Sequence, residues 1–442
     1  MTPSAGPDRL TVSSPTPALA RTLGLAALTI YGVGDMLGSG IYALIGKAAG
    51  TMGNAVWLAF LVSMVAAVLT GLSYAALGSR YPRAAGAAFV TERAFGWPFL
   101  AYVVGLTVMA SGLTSMGTQT RAFASYFTGM FGGTTVVVML GFIAALTLVN
   151  WWGMREATWL NVLCTTVELA GLVIVIAVGI RFWGRVDYWE TPTPMGPALA
   201  LQGAVLTFYS FIGFEDMINV SEEVKEPERN FPIAVVLALA IVTVVYLAVS
   251  ISAVSVVPHR ELAESKRPLV EVVLRAWPAF PPVVFALIAL FAITNTGLLN
   301  YIMGSRLVYG MARQGLLPQW LGAVHPRRRT PHRAIFTLMV IVVVLALVGD
   351  ISVLASATSA LLLCVFVVIN AALVVLQRRP GEPPGRFEVP LVVPVGGIIV
   401  CLLLLTQVRW QALAIAGVLV AVIAALYFVT GRRGATSDKL PA

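Results

Sequence analysis

A chain of 442 residues that is 58% hydrophobic and 11% charged, with a formal net charge of +9, lies far from soluble domains, which run at about 45–50% apolar and about 25% charged. No water-soluble fold can hide that much apolar surface, and no soluble basic domain is present to carry a nucleic-acid-binding role. The apolar residues come in blocks of about 18–28, the length that carries a helix across about 30 Å of hydrocarbon.

In chain order, a Pro/Ser/Ala-rich tail over 1–22 precedes twelve expected spans, near 23–48, 54–78, 97–127, 134–153, 157–182, 197–221, 232–257, 281–312, 333–349, 351–377, 390–407 and 409–430, with a short tail at 431–442. The first block is expected to be a retained span rather than a signal peptide, because no small-residue cleavage site follows a short apolar region. An even number of spans puts both termini on one side. Most of the 29 basic residues then share that side, among them Arg80, Arg83, Arg93, the run Arg327 to Arg329, Arg378, Arg379, Arg432 and Arg433. Both termini are therefore expected in the cytoplasm, with the protein in the cytoplasmic membrane. This topology accounts for the net charge without nucleic acid.

Chemistry-bearing residues are sparse. Cys164, Cys364 and Cys401 lie inside expected spans without metal-ligand spacing, and His259, His325 and His332 are scattered over connectors. Neither a catalytic set nor a phosphate-binding loop occurs, so no metal, cofactor or enzymatic activity is expected. Transport, if that is the function, would draw on an ion gradient or on exchange.

Two spans are interrupted. In the first, Gly32-Val-Gly-Asp-Met-Leu-Gly-Ser-Gly-Ile-Tyr42 puts four glycines, Asp35 and Ser39 within one short stretch, and each glycine costs a helix about 1 kcal/mol relative to alanine. The sixth carries Thr207-Phe-Tyr-Ser-Phe-Ile-Gly-Phe-Glu-Asp216. Broken helices opening each of two groups of five are the mark of an inverted-repeat transporter, here over 23–182 and 197–377 with two further helices over 390–430. Unwinding bares N–H groups, which attract a carboxylate, and C=O groups, which attract an ammonium; a zwitterionic amino acid supplies both. The competing reading is that these glycines let helices pack closely.

Gly38-Ser-Gly-Ile41, Tyr209-Ser-Phe-Ile-Gly-Phe-Glu215, the run Ser221 to Pro232, Tyr81-Pro-Arg-Ala-Ala-Gly86, Ser305 to Pro318, Arg329 to Ala334 and Phe387-Glu-Val-Pro-Leu391 resemble, in order, the amino acid–polyamine–organocation (APC) superfamily of permeases. The resemblance implies a five-plus-five inverted repeat with broken helices 1 and 6, two C-terminal helices and alternating access around a central site. It also implies a carboxylate site at the amides of Ser39, Gly40 and Ile41, an amine site at carbonyls near Met36, Leu37, Phe208 and Phe211, and Gly38 and Ile212 as further substrate-binding residues. Tyr209 matches a gating aromatic, against the alternative of an ordinary core ring. The chain departs from the family in carrying Ala76 where an acid is usual, and Glu168 where the cationic-amino-acid branch has a lysine.

Glu168, Glu215 and Asp35 are the ionisable groups expected at mid-membrane and hence the candidates for proton coupling, each against the alternative of a structural carboxyl. Thr294, Asn295 and Thr296, with Asn300, are candidates for a cation site beside span one. Met109, Ser111, Thr114, Ser356 and Thr358 are weaker candidates for substrate specificity. The expected function is secondary active transport of amino acids, by proton-coupled symport or exchange, with the lipid bilayer, a small-molecule substrate and a proton or other cation as partners. Transport of polyamines or organic cations is the alternative, and a channel stands behind it.

Overall fold

The structure, a computed structural model, describes residues 24–81, 86–152, 154–313, 317–328 and 330–430. Both tails lie outside the described residues, as do Arg83, Arg329, Arg432 and Arg433. Among those described, the chain is helical with no strand.

Span one is two helices, α1 (Leu25–Met36) and α2 (Ser39–Met52), followed by α3 (Val56–Arg80), a short α4 (Gly86–Phe95), α5 (Pro98–Phe131), α6 (Thr135–Trp152) and α7 (Met154–Gly179). The second half runs through α8 (Pro197–Phe208), α9 (Pro227–Val256), the connector helices α10 (His259–Glu264) and α11 (Pro268–Ala276), α12 (Pro282–Arg313), α13 (His332–Val348) and α14 (Ile351–Arg378). The last two are α15 (Val392–Leu405) and α16 (Trp410–Thr430). Proline opens α5, α8, α9 and α11, a position where its missing N–H costs nothing. Asp350 caps α14 through the amides of Ser352 and Val353 at 2.7 and 2.9 Å.

Nine helices among the described residues are long and apolar enough to cross a membrane, and three apolar helices, Leu25–Met36, His332–Val348 and Val392–Leu405, are shorter. One of the nine, Gly40–Arg80, has 41 residues; as a straight helix it would reach about 60 Å, twice the hydrocarbon thickness. It divides at a 3-10 turn, Gly53–Ala55, into α2 and α3. The expected sixth span differs most from what is observed: α-helix ends at Phe208 and the chain continues in 3-10 turns to Glu223. Helices α4, α10 and α11 are further departures, being too short or too polar to register as spans.

Two groups of helices pack internally. One holds α1, α2, α3, α8 and α9, with α3 running along α9; the other holds α5, α6, α12 and α13, with α5 along α12. Helix α14 packs on α5 and α15, and α7 on α12 and α9. An aromatic core of Phe60, Tyr74, Phe208, Phe211, Phe214, Tyr246 and Phe366 surrounds the break in span six. At the periphery, only 17% of the apolar window of α16 is buried, and side chains such as Val418 and Val422 face outward, as lipid-facing residues do.

Candidate functional site

The first break is short. Leu37 and Gly38 are extended, and α2 resumes at Ser39 with no side chain capping it. The first-turn N–H groups of a helix have no partner four residues back, so those of Ser39, Gly40 and Ile41 are the open donors of this segment. Gly40 lies directly on span six: a Cβ there would stand 2.6 Å from the Cα of Ser210. Glycine is therefore required by the contact between the two broken spans.

The second break is longer. Gly213, at φ 130°, passes so close to the carbonyl of Asp35 that a Cβ would lie 2.9–3.0 Å from the backbone of Asp35 and Met36. Its N–H donates to Glu215 Oε2 at 2.9 Å, so this carboxylate caps the unwound chain it follows. The side chains of Phe208 and Phe211 are buried against Phe366, Phe60 and Tyr246, leaving only their backbone to face a ligand.

Tyr246 of α9 joins the two breaks. It is fully buried, and its hydroxyl lies within hydrogen-bond distance of the Met36 carbonyl, at 2.5 Å, and of the Ser210 carbonyl, at 2.7 Å. The Met36 carbonyl, an expected amine acceptor, is thus already engaged by the protein.

Tyr209 anchors the start of the second break to α5. Its hydroxyl bonds Ser115 Oγ at 2.9 Å and receives Gln119 Nε2 at 3.0 Å, both from α5. Its ring packs with Leu44 and Ala355, flanked by Ile212 and Ile351. Thr114 and Thr358 share a hydrogen bond of 2.7 Å between α5 and α14, and Asn300 reaches Ser115 at 3.4 Å.

Glu168 is 0% exposed and neither carboxyl oxygen has a hydrogen-bond partner among the described residues. Asn295 stands beside it and donates to Thr165 Oγ1 at 3.0 Å. The hydroxyl of Tyr42 in α2 donates to the Glu168 backbone carbonyl at 2.7 Å, tying α7 to the helix after the first break. Thr296 faces Gly38. Thr294 turns back instead and donates to the Leu290 carbonyl at 2.6 Å, so the structure brings Thr296 to span one and Asn295 to α7. Asp35 Oδ2, Gln119 Oε1, Ser210 Oγ and Asn295 Oδ1 are likewise buried without a partner among the described residues.

Residues 23–440 match the family described as amino acid permease. The chain belongs to the amino acid permease family. This permease is 24% identical to a branched-chain amino acid permease of Bacillus subtilis, over 96% of each chain. It is 27% identical to a methylthioribose transporter of the same organism, over 98% of each. It is 31% identical to an uncharacterized transporter of Mycobacterium tuberculosis, over 95% of this chain and 94% of the other. It is a multi-pass membrane protein of a transporter family, not an enzyme.

Two family-like motifs of the permease meet at one end of the bundle, outside the spans. Tyr81 donates to Glu382 at 2.6 Å, Arg93 pairs with Glu382 at 3.1 Å and Arg80 with Glu388 at 2.7 Å. Burial alone would push the Glu382 carboxyl up, but the Tyr81 hydroxyl, Arg93 and Arg379 together hold it below the usual carboxylate range. Of the residues at the breaks, Tyr246, Ser115 and Gln119 carry no local motif that marks them. Ser115 and Gln119 do continue the polar stripe of Ser111 and Thr114 on α5 at i, i+3, i+4 spacing, which is a readable signal.

Proposed function

We propose that this permease is a secondary active transporter that carries an amino acid across the cytoplasmic membrane by alternating access, with both termini in the cytoplasm. The observation that carries the reading is the meeting of the two breaks: an uncapped helix start at Ser39–Ile41 against the Ser210 turn. Uncapped N–H groups favour the substrate carboxylate, and unwound carbonyls nearby, that of Leu37 among them, favour the amine. Tyr209 is the lid over the substrate, latched by Ser115 and Gln119.

The packing of α3 on α9, α5 on α12 and α6 on α13 supports twelve spans in a five-plus-five inverted repeat over 23–182 and 197–377. It pairs spans two, three and four with seven, eight and nine, as repeat-related partners would be. Proton coupling is assigned to Glu168, which is buried, forms no ion pair among the described residues and is joined through Tyr42 to the helix after the first break. Asp35 is the second candidate, and Glu215, engaged in capping Gly213, the third. Asn295 and Thr296 remain the residues for a cation beside span one.

A second reading rests on the similarity to the methylthioribose transporter: a thiosugar has hydroxyls but no carboxylate or ammonium. Uptake of labelled amino acids and of methylthioribose into proteoliposomes, with and without an imposed pH gradient, separates the two. Accumulation of an amino acid is the expected result; methylthioribose accumulating alone would reassign the substrate. Glu168→Gln should abolish accumulation driven by the pH gradient while counterflow exchange continues; intact proton-driven accumulation would make Glu168 structural.

A further inference from the structure

Two sets of arginines contrast in their partners. Arg80, Arg93 and Arg379 are each paired with Glu382 or Glu388. Arg327, Arg328 and Arg333, in the connector before α13 and at its start, have no ion pair among the described residues. Their placement is nonetheless fixed. Thr330 donates to the Trp151 carbonyl at 3.1 Å and its own carbonyl accepts from the amides of His325 and His332, both at 2.9 Å. The amide of Arg328 donates to His325 Nδ1 at 3.2 Å. The connector is thereby folded onto the end of α6.

Arg328 lies over two indole rings, 4.0 Å from the centre of Trp151 and 4.6 Å from that of Trp152. A guanidinium held by its face keeps its N–H edge for an oxyanion. Trp152 is 61% exposed and Trp320 52%, as befits indoles in the interfacial belt of a bilayer. Beside them, Tyr309, Ala312, Gln319, Gly322 and Val324 line an open groove of about 440 Å³. Helix α13 begins here without a side-chain cap, adding the positive end of its dipole.

We infer that Arg327, Arg328 and Arg333, together with Trp151 and Trp152, form a binding site for the phosphate headgroup of an anionic phospholipid. Arg328 contacts the phosphate from its indole platform, while Arg327 and Arg333, both exposed, supply the surrounding field. The groove beside Trp320 receives the glycerol and upper acyl chain. Arginines without an ion pair among the described residues favour an anion, and with both termini in the cytoplasm, as proposed above, the inner leaflet supplies one. A purely topological role for these arginines would produce no headgroup preference, which makes the two accounts separable.

The test is a native mass spectrometry titration of the full-length protein in detergent with phosphatidylglycerol and with phosphatidylcholine. The wild type should bind phosphatidylglycerol more tightly, and the preference should fall about fivefold for each cation removed in R327Q/R333Q and in R327Q/R328Q/R333Q. Should the triple variant fail to fold, Arg328→Lys, which keeps the charge but loses the stacked plane, should lose part of the preference. Equal binding of both lipids by the wild type, or a preference undiminished in the variants, would overturn the site. Competition by inorganic phosphate as effective as by the lipid would make it a free-anion site and overturn the assignment to phospholipid.

Discussion

In span one the chain unwinds for two residues, Leu37 and Gly38, and resumes as an α-helix whose first turn has no side-chain cap. In span six it unwinds after Phe208 and continues in 3-10 turns, with Glu215 satisfying the amide of Gly213. The same problem, a broken helix in a medium without water, is thus left open in one place and closed in the other. An open set of donors costs free energy until a ligand fills it, which is why the proposed function puts the anion-binding end in span one. Span six, having capped itself, is proposed to contribute the aromatic lid and a backbone surface. Tyr246 touches both and keeps them in register.

The contrast can be broken most severely at Gly40. Gly40→Val places side-chain atoms against Ser210 and the open amides, and uptake in proteoliposomes should disappear. Because the contact is with backbone, apparent melting temperature should fall too, so transport must be compared at matched membrane insertion. Wild-type uptake by this variant would separate the breaks from the substrate site.

Next in size is Tyr246→Phe, which strips the shared hydroxyl from the Met36 and Ser210 carbonyls. The hydroxyl has one proton to share between the two carbonyls, so its loss costs about 1–3 kcal/mol in all. Lower thermal stability and a slower turnover are expected, with substrate affinity changed less than rate. A variant with wild-type turnover would mean the two breaks do not depend on a common tether.

Tyr209 sharpens the comparison further, because it should affect retention rather than the anion site. Tyr209→Ala should raise the apparent KM for uptake several-fold. Tyr209→Phe, which keeps the ring against Leu44 and Ala355 but loses Ser115 and Gln119, should have a milder effect. Equal and negligible effects would reduce the ring to packing.

The smallest expected effect lies away from the breaks, at Glu382. Its carboxyl titrates below the ordinary value, so the stability it adds is present above the unfolded pKa, about 4.3, and is lost as pH falls through the folded value. Glu382→Gln should cost about 1 kcal/mol at neutral pH. The gap in melting temperature between variant and wild type should close on acidification below about pH 4.

The breaks themselves were legible because glycine clusters stand out in apolar runs, and the family motifs around them are ordered along the chain. Their closure was not. Tyr246 is one hydroxyl in an otherwise apolar helix, and its partners lie 210 and 36 residues away. Gln119 serves Tyr209 across 90 residues, a pairing that no local period encodes. Glu215 could be recognised as buried, but its role as a cap depends on the positive φ of Gly213, which becomes visible only once the chain has folded. The short helices α4, α10 and α11 escape a hydropathy reading because a window wide enough to find spans averages them away.

The central claim, that open amides of α2 take a carboxylate, is tested most directly by equilibrium binding to the purified protein. The tightest-binding amino acid from a panel would be compared with its methyl ester and with its deaminated analogue. Loss of binding on esterification, and a separate loss on removal of the amine, are expected. A methyl ester that binds as tightly as the parent amino acid would contradict the account.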